Sequence, residues 1–238
     1  MTKLKSDLLY NHIHTEIMLC SLVPGSILTE RELGERYDSR KATIRNAMAR
    51  LIQEGFAKNL PRRGYLITPI TMRDVSEICD ARIVIEPDLT RAATERLTPG
   101  TMQNIAAAIR ETEKPETLKS RPSYQAANRA FHLTIAQASG NKRLVAILDR
   151  LLVEHERIRH FAGGPPQLAP DFAKEHRDLF DAMCTGDAKG AANMMREQLI
   201  NGKKIAQQEA FGNSAIMDRE FKPQSDGNPQ KMSNLFSM

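Results

Sequence analysis

Apolar residues recur every three or four positions along most of the chain, which is the period of a helix with one buried face. Near the N-terminus, Leu9, Ile13 and Ile17 follow this period and predict a helix over about 6–20. Two more helices are predicted at about 29–37 and 40–54, followed by short strands at 56–59 and 65–68.

The ends of these elements carry local signals. Thr29 and Glu32 have the spacing of a capping box, which begins a helix. Gly55 is the residue type that ends one. Tight turns are predicted at 38–39, between the helices, and at 61–64, between the strands. Two helices around a tight turn, followed by a hairpin, predict a winged helix-turn-helix over residues 1–70, which places its second helix in the DNA major groove.

Basic side chains occupy the positions that would face DNA. Arg40, Lys41 and Arg45 lie in the first two turns of the third helix, where a recognition helix meets base edges. The arginine fork matches O6 and N7 of guanine, whereas lysine supplies a point charge. A charged face is often only a solvated face, but here it coincides with a helix-turn-helix and a basic hairpin. The predicted DNA-contacting residues are Arg31, Arg40, Lys41, Thr43, Arg45, Arg62, Arg63 and Gly64.

The remainder of the chain keeps the helical period. The pattern predicts an antiparallel bundle of about six helices over 71–210, so the fold class is mainly α. A polar loop is predicted at 114–122, a longer loop around 163–166 and a disordered tail at 211–238, which is rich in Ser, Asn, Gln, Pro and Gly. The predicted helices cover about 71–97, 98–113, 123–139, 141–161, 171–185 and 187–208.

Charge and cysteine content narrow the class of protein. The net charge is +5, and residues 1–70 hold 11 Lys+Arg against 7 Asp+Glu, so most of the excess lies where phosphates would be. The excess is modest, and we therefore expect a homodimer. Three separated cysteines have no metal or disulfide spacing. Neither a signal peptide nor a membrane-spanning run is evident, so we expect a cytoplasmic protein without a membrane partner.

Several polar residues of the bundle fall on apolar faces. Arg82 lies between Ile78 and Ile85, and Asn128 and His132 are one turn apart. Their burial without partners would be costly, so their meeting around a polar cavity is one interpretation. The alternatives are that Arg82 pairs with Glu86 one turn later and that an inward histidine is a satisfied core residue. His176 and Gln198 are further candidates, and His155 is a weaker one.

The N-terminal region resembles the GntR family of bacterial transcription regulators. The resemblance rests on Pro24-Gly25, Leu28 to Leu33, Arg45 to Met48, Glu54-Gly55 and Arg63-Gly64. It implies DNA contacts from Arg31, Lys41, Arg45 and the wing tip. The turn departs from the family's usual Gly-Val-Ser, since it reads Asp38-Ser39-Arg40, and Lys41 replaces the usual arginine. These departures concern which operator sequence is bound.

The C-terminal region resembles the FCD effector domain of the FadR subfamily, through the segments 82–87, 128–132, 139–141 and 175–187. Relatives often hold a divalent metal with one Asp and three His. The corresponding positions here are Asn128, His132, His176 and Gln198, so amides replace two ligands. Amide oxygens are weaker ligands, and we expect Zn, Ni or Mn to bind at reduced affinity, if at all. Arg82, His132 and His176 would then form a neutral-to-positive cavity that binds an organic acid directly.

The sequence therefore predicts a regulator, not an enzyme. It would bind double-stranded operator DNA as a dimeric repressor, with its affinity modulated by a small carboxylate effector. One alternative is a metal-dependent effector site at Asn128, His132 and His176. Another is a DNA-binding protein whose polar cavity is non-functional. A metallohydrolase is disfavoured because no general-base carboxylate accompanies the two histidines.

Overall fold

The computed structural model describes residues 5–162 and 169–212. The predicted loop at 163–166 and nearly all of the predicted tail lie outside these residues. The elements, in chain order, are α1 (Lys5–Met18), β1 (Ile27–Leu28), α2 (Glu30–Tyr37), α3 (Lys41–Gln53), β2 (Ala57–Leu60), β3 (Gly64–Ile67), α4 (Met72–Thr94), α5 (Pro99–Glu113), α6 (Pro115–Lys119), α7 (Arg121–Ala138), α8 (Lys142–Ala162), α9 (Ala169–Cys184) and α10 (Ala188–Phe211).

The first six elements form an N-terminal domain, the head, around one apolar core. The capping box at α2 is confirmed, because Glu32 N–H donates to Thr29 Oγ1 at 3.1 Å and Thr29 N–H donates to Glu32 Oε2 at 2.7 Å. Asp38 has a φ of 45°, so the chain turns sharply between α2 and α3. The core side chains come from the apolar faces of all three helices, and include Leu9, Ile13, Ile17, Leu33, Ile44, Met48 and Leu51.

The wing is a three-stranded antiparallel sheet with the order β1-β3-β2. The predicted hairpin is confirmed, with Asn59 opposite Tyr65. Strand β1 was not predicted, because two residues are too short for a period to be visible. Gly64 lies where β3 passes β1: its φ is 104°, and a Cβ there would lie 2.3 Å from Leu28 O. Only glycine fits this crossing without rearrangement.

Helices α4–α10 form the bundle, in which α4 packs along α10. The prediction of a polar loop over 114–122 was wrong, since α6 occupies part of it and α7 begins at Arg121. The described bundle therefore has seven helices instead of about six. Helix α6 spans only five residues, which is too few for a helical period to show. Helix α4 continues through Pro87 to Thr94. No described helix is long and apolar enough to cross a membrane.

Helix α8 contacts both parts of the molecule. Its Arg157 Nη2 donates to Thr68 O, just after the wing, at 2.6 Å. One turn earlier, Val153 packs against the core of the head. Cys20, after α1, also approaches the Arg157 carbonyl, with Sγ at 3.7 Å. Because Arg157 is buried, this junction holds the head against the bundle through a desolvated polar contact.

Candidate DNA-binding surface and ligand cavity

The polar face of α3 is open to solvent. Arg40, Lys41 and Arg45 are exposed in its first turns, and Thr43 is half-buried beside them. Arg40 is the N-cap residue, with extended backbone, so its side chain leaves the helix at the end nearest the turn. The structure therefore brings these predicted residues together on one surface, in the arrangement that a recognition helix requires.

Arg45 is held by a carboxylate of another helix. Glu30, the first residue of α2, accepts from Arg45 Nε at 2.6 Å and from Nη2 at 3.1 Å. Tyr65 of β3 donates from its hydroxyl to the same carboxylate at 3.3 Å. The Arg45 guanidinium holds the pKa of Glu30 below its ordinary value, so the carboxylate is ionised. Sequence reasoning missed Glu30, because its partner lies fifteen residues away on another helix.

The remaining predicted DNA contacts are three exposed arginines and one glycine. Arg62 and Arg63 are exposed at the hairpin tip, and Arg62 has a φ of 63°. Arg31 is exposed on α2 and forms a 3.5 Å surface ion pair with Glu35. Gly64 differs, since the crossing of β1 and β3 already requires a glycine there. Its place in the wing is explained by packing.

A small cavity lies inside the bundle. Its volume is about 50 Å³, enough for a few water molecules or a small polar group. Of the predicted residues, Arg82, Asn128, His132 and Gln198 line this cavity, whereas His176 does not. Four polar residues of α7, α8 and α10 that were not selected from the sequence also line it: Tyr124, Gln125, Arg159 and Lys203. His155, the weaker candidate, also lines it.

A buried carboxylate stands behind two of the lining residues. Glu86 accepts from Arg82 Nε through Oε1 at 2.6 Å and from His132 Nδ1 through Oε2 at 2.6 Å. Burial alone would raise the pKa of Glu86, but the charges of Arg82 and His132 outweigh it and lower the pKa to about 2. The alternative that Arg82 pairs with Glu86 is therefore confirmed. The predicted group of Arg82, His132 and His176 left out a carboxylate, since Glu86 joins two of its members.

His176 is a core residue in this structure. Its ring stacks on Phe131 with centroids 3.9 Å apart, and it has no exposed surface. Neither ring nitrogen has a hydrogen-bond partner in the described part of the chain. Burial, followed by the charges of His132 and Arg177, lowers its pKa well below the ordinary value, so the ring is neutral. The prediction that His176 faces the cavity was wrong: it lies one layer further in, its ring centroid 5.9 Å from that of His132.

Arg159 adds a cation to the cavity wall. Its Nη1 lies 2.6 Å from Oε2 of Glu209 on α10. A signal for Arg159 was present in the sequence, because it continues the stripe of Leu148, Leu152 and His155 along α8. Among the described residues that line the cavity, none is acidic. Burial and the nearby Arg82, Arg159 and His132 lower the pKa of His155 well below its ordinary value, as expected for a neutral ring beside cations.

Two polar atoms at this cavity have no hydrogen-bond partner among the described residues. The Tyr124 hydroxyl and Gln198 Oε1 are buried without a hydrogen bond to any part of the chain that the structure describes. Buried polar groups are normally satisfied by protein, water or ligand. A polar molecule in the cavity could therefore form hydrogen bonds with these two atoms without displacing an existing protein partner.

The donor set fits a transition metal poorly. Of the four positions implied by the resemblance, two are amides and one, His176, faces the core. Over residues 5–162 and 169–212, no three His, Cys, Asp or Glu side chains are grouped so that they could hold a metal ion. His132 remains the single imidazole among these positions at the cavity, and one imidazole with two amides is a weak set for Zn, Ni or Mn.

Comparison with known proteins agrees with both parts of the chain. Residues 5–67 match the family model described as bacterial regulatory proteins, gntR family, and residues 77–201 match the FCD domain. The transcriptional repressor RspR of Escherichia coli K12 is 21% identical over 194 residues, which cover 80% of this chain and 84% of RspR. The repressor GlaR of the same strain is 23% identical over 212 residues, covering 86% and 96%.

Solved structures share the fold. Escherichia coli McbR/YncC superposes with a TM-score of 0.71 at 19% identity, covering 87% of this chain and 99% of that one. A putative GntR regulator from Rhodococcus sp. RHA1 gives a TM-score of 0.70 at 18% identity, covering 85% and 97%. With its winged head and helical bundle, the chain belongs to the GntR family of bacterial regulatory proteins and is a DNA-binding transcription regulator with an FCD domain, not an enzyme.

Proposed function

We propose that the protein is a homodimeric repressor whose operator affinity is changed by a small organic acid bound in the bundle cavity. One observation carries this proposal: the Tyr124 hydroxyl and Gln198 Oε1, which have no hydrogen-bond partner in the described chain, lie at a cavity whose described lining holds three cations and no acidic residue. The cations are Arg82, Arg159 and Lys203, and each already pairs with one carboxylate outside the lining, namely Glu86, Glu209 and Asp80. A carboxylate placed there would accept hydrogen bonds from the remaining N–H donors of the cations and from the Tyr124 hydroxyl. Two relatives are named as repressors, which supports the sign of the regulation.

The wall also indicates what the acid carries besides its carboxylate. Because ionised Glu86 accepts from His132 Nδ1, the second ring nitrogen, Nε2, is the atom left for a ligand. Gln198 Oε1 at the same cavity is a buried acceptor without a hydrogen-bond partner in the described chain. Acceptors need a donor, which a carboxylate lacks and a hydroxyl group provides. We therefore propose a small acid that carries at least one hydroxyl group.

Helix α8 is the proposed route from the cavity to DNA. His155 and Arg159 line the cavity, while Arg157 lies between them on the opposite side of the helix, because two residues advance about 200°. Arg157 holds Thr68 O at the end of the wing. A ligand that moves α8 would therefore change how the head is held. In a dimer, that would alter the spacing of two recognition helices.

A thermal-shift screen of small hydroxy acids against chelator-treated protein tests the binding step. We expect one acid to raise the melting temperature in wild type and to lose most of that effect in Tyr124→Phe. The variant removes a hydroxyl without a partner in the described chain, so its own stability should change little.

Two outcomes would separate the alternatives. Binding that appears only after Zn, Ni or Mn is added would favour the metal-dependent site. Absence of any shift, with operator binding intact, would favour a non-functional cavity and contradict the proposal.

A further inference from the structure

The side chain that carries base recognition in α3 is held before DNA arrives. Arg45 is largely exposed, with 63% of its side chain open, yet it is bound by Glu30, whose side chain is only 24% exposed. Exposed ion pairs usually contribute little, because two flexible side chains must be ordered. This pair differs, since two hydrogen bonds join it and the Tyr65 hydroxyl holds the carboxylate from a third element. The main effect of the Arg45–Glu30 pair is therefore to orient the Arg45 guanidinium, and its contribution to folding stability is secondary.

The hydrogen bonds leave the far end of Arg45 free for a base. A guanidinium has five N–H donors. Glu30 takes Nε–H and one hydrogen of Nη2, along one edge of the group. Nη1 and the second hydrogen of Nη2 remain, and they form the fork that matches O6 and N7 of guanine. Glu30 thus orients the group without occupying the edge that would read DNA.

Glu30 also places a negative charge on a surface that approaches phosphates. Lys41, in the first turn of α3, adds a second cation close enough to help lower the pKa of Glu30. A carboxylate at this position repels the DNA backbone and therefore weakens binding to any sequence. A gain in discrimination between DNA sequences would offset the affinity that the Glu30 carboxylate costs.

We infer that Glu30 is a positioning residue for DNA recognition: it fixes the Arg45 fork for one guanine and lowers affinity for other DNA. The inference rests on the placement of α3 in the major groove, as in the proposed function. Tyr65 belongs to the same device, because it links the carboxylate to the wing. Specificity at one base pair would thus depend on α2, α3 and β3 together.

The experiment uses the full chain and an operator obtained by selection from random DNA. Binding is measured by fluorescence anisotropy for that operator, for each single base-pair substitution and for unrelated DNA. A good bidentate contact supplies about tenfold to a hundredfold discrimination. Arg45→Ala should abolish it at one G·C pair. Glu30→Gln and Glu30→Ala should lower discrimination at that same pair by about threefold to tenfold, since the contact is kept but less ordered, and should raise affinity for unrelated DNA.

Glu35→Gln is the matched control, because it removes the same charge from α2 but belongs to the Arg31 pair. It should raise affinity for unrelated DNA while leaving discrimination at that base pair unchanged. Unchanged melting temperatures would show that all variants are folded. If Arg45→Ala abolishes discrimination and both Glu30 variants retain it, the positioning role is wrong. If Arg45→Ala also retains it, the placement of α3 has failed instead.

Discussion

The candidate DNA-contacting side chains of the head are exposed, whereas the candidate ligand-binding side chains of the bundle are buried. In the head, the cations of α3 and the wing tip are exposed, and the glycine and capping signals that position them lie within a few residues. In the bundle, Arg82, His132 and Gln198 are buried on three helices and meet only after folding. The difference indicates that the two regions respond differently to substitution. Substitution of surface groups should change DNA binding with little effect on folding, whereas substitution of cavity groups that have buried partners should affect both ligand binding and folding.

Glu86→Ala would have the largest effect on stability. It leaves Arg82 as a buried charge without its carboxylate, and breaking such a pair costs about 3–5 kcal/mol. Urea unfolding measures the loss. Asp88→Ala is the control on the same helix, since that carboxylate is exposed and pairs only loosely with Arg91. A loss below about 1 kcal/mol for Glu86→Ala would show that the bundle tolerates an unpaired buried charge, so that its buried groups contribute no more to stability than exposed ones.

Gly64→Ala tests whether one position in the head is as important for folding stability as the buried groups of the bundle. We expect a loss of about 2–3 kcal/mol, because a Cβ would press on the β1 backbone at a positive φ. Gly140→Ala is a matched control, since it has a φ of 76° and open space around it, and should cost about 1 kcal/mol. Denaturant unfolding of both variants gives the comparison. Equal losses would mean that the close approach to Leu28 contributes nothing.

His176→Phe tests the buried, neutral histidine through pH. Its folded-state pKa lies below the ordinary value near 6.5, so the unfolded chain binds an extra proton below that pH. Stability is therefore full above about pH 6.5 and falls as the pH drops toward the folded pKa. We expect the variant to lose this pH dependence, whose slope approaches about 1.4 kcal/mol per pH unit where the unfolded ring is protonated and the folded ring is not. Unfolding at a series of pH values measures it, and an unchanged slope would contradict burial of a neutral ring.

Arg157→Met tests the connection between the two regions. Methionine keeps part of the apolar stem but removes the hydrogen bond to Thr68 O. Acid binding in the cavity should persist, while the effect of the acid on operator affinity should fall by an amount worth about 0.5–2 kcal/mol. Calorimetry of acid binding and anisotropy of operator binding separate the two. Undiminished coupling would remove α8 from the proposed route.

The sequence predicted the head better than the cavity for a physical reason. Caps and turns are local, so Thr29, Glu32 and Gly55 could be assigned from neighbouring residues. The faces of α4, α7 and α10 could also be assigned, and Arg82, His132 and Gln198 do meet. Periodicity does not determine how each helix is rotated within the bundle or how far a given side chain lies from the cavity. It therefore placed His176 at the cavity instead of one layer inside, and it missed Tyr124.

The ion-pair partners of charged side chains were the other feature that could not be predicted from the sequence. Glu86 serves Arg82 one turn away on its own helix, but it also serves His132, 46 residues further on. Glu30 and Arg45 likewise lie on different helices. Such pairs depend on how helices cross, which one sequence does not reveal. Both carboxylates orient a neighbouring donor, one inside the bundle and one at the DNA surface.

The central claim is that an acid in the cavity controls binding at the head. The most direct measurement is the operator affinity of the full chain with and without a saturating hydroxy acid, at constant ionic strength. We predict that the acid weakens operator binding by at least about fivefold, and that Tyr124→Phe requires far more acid for the same change. An acid that binds the bundle and leaves operator affinity unchanged would contradict the claim.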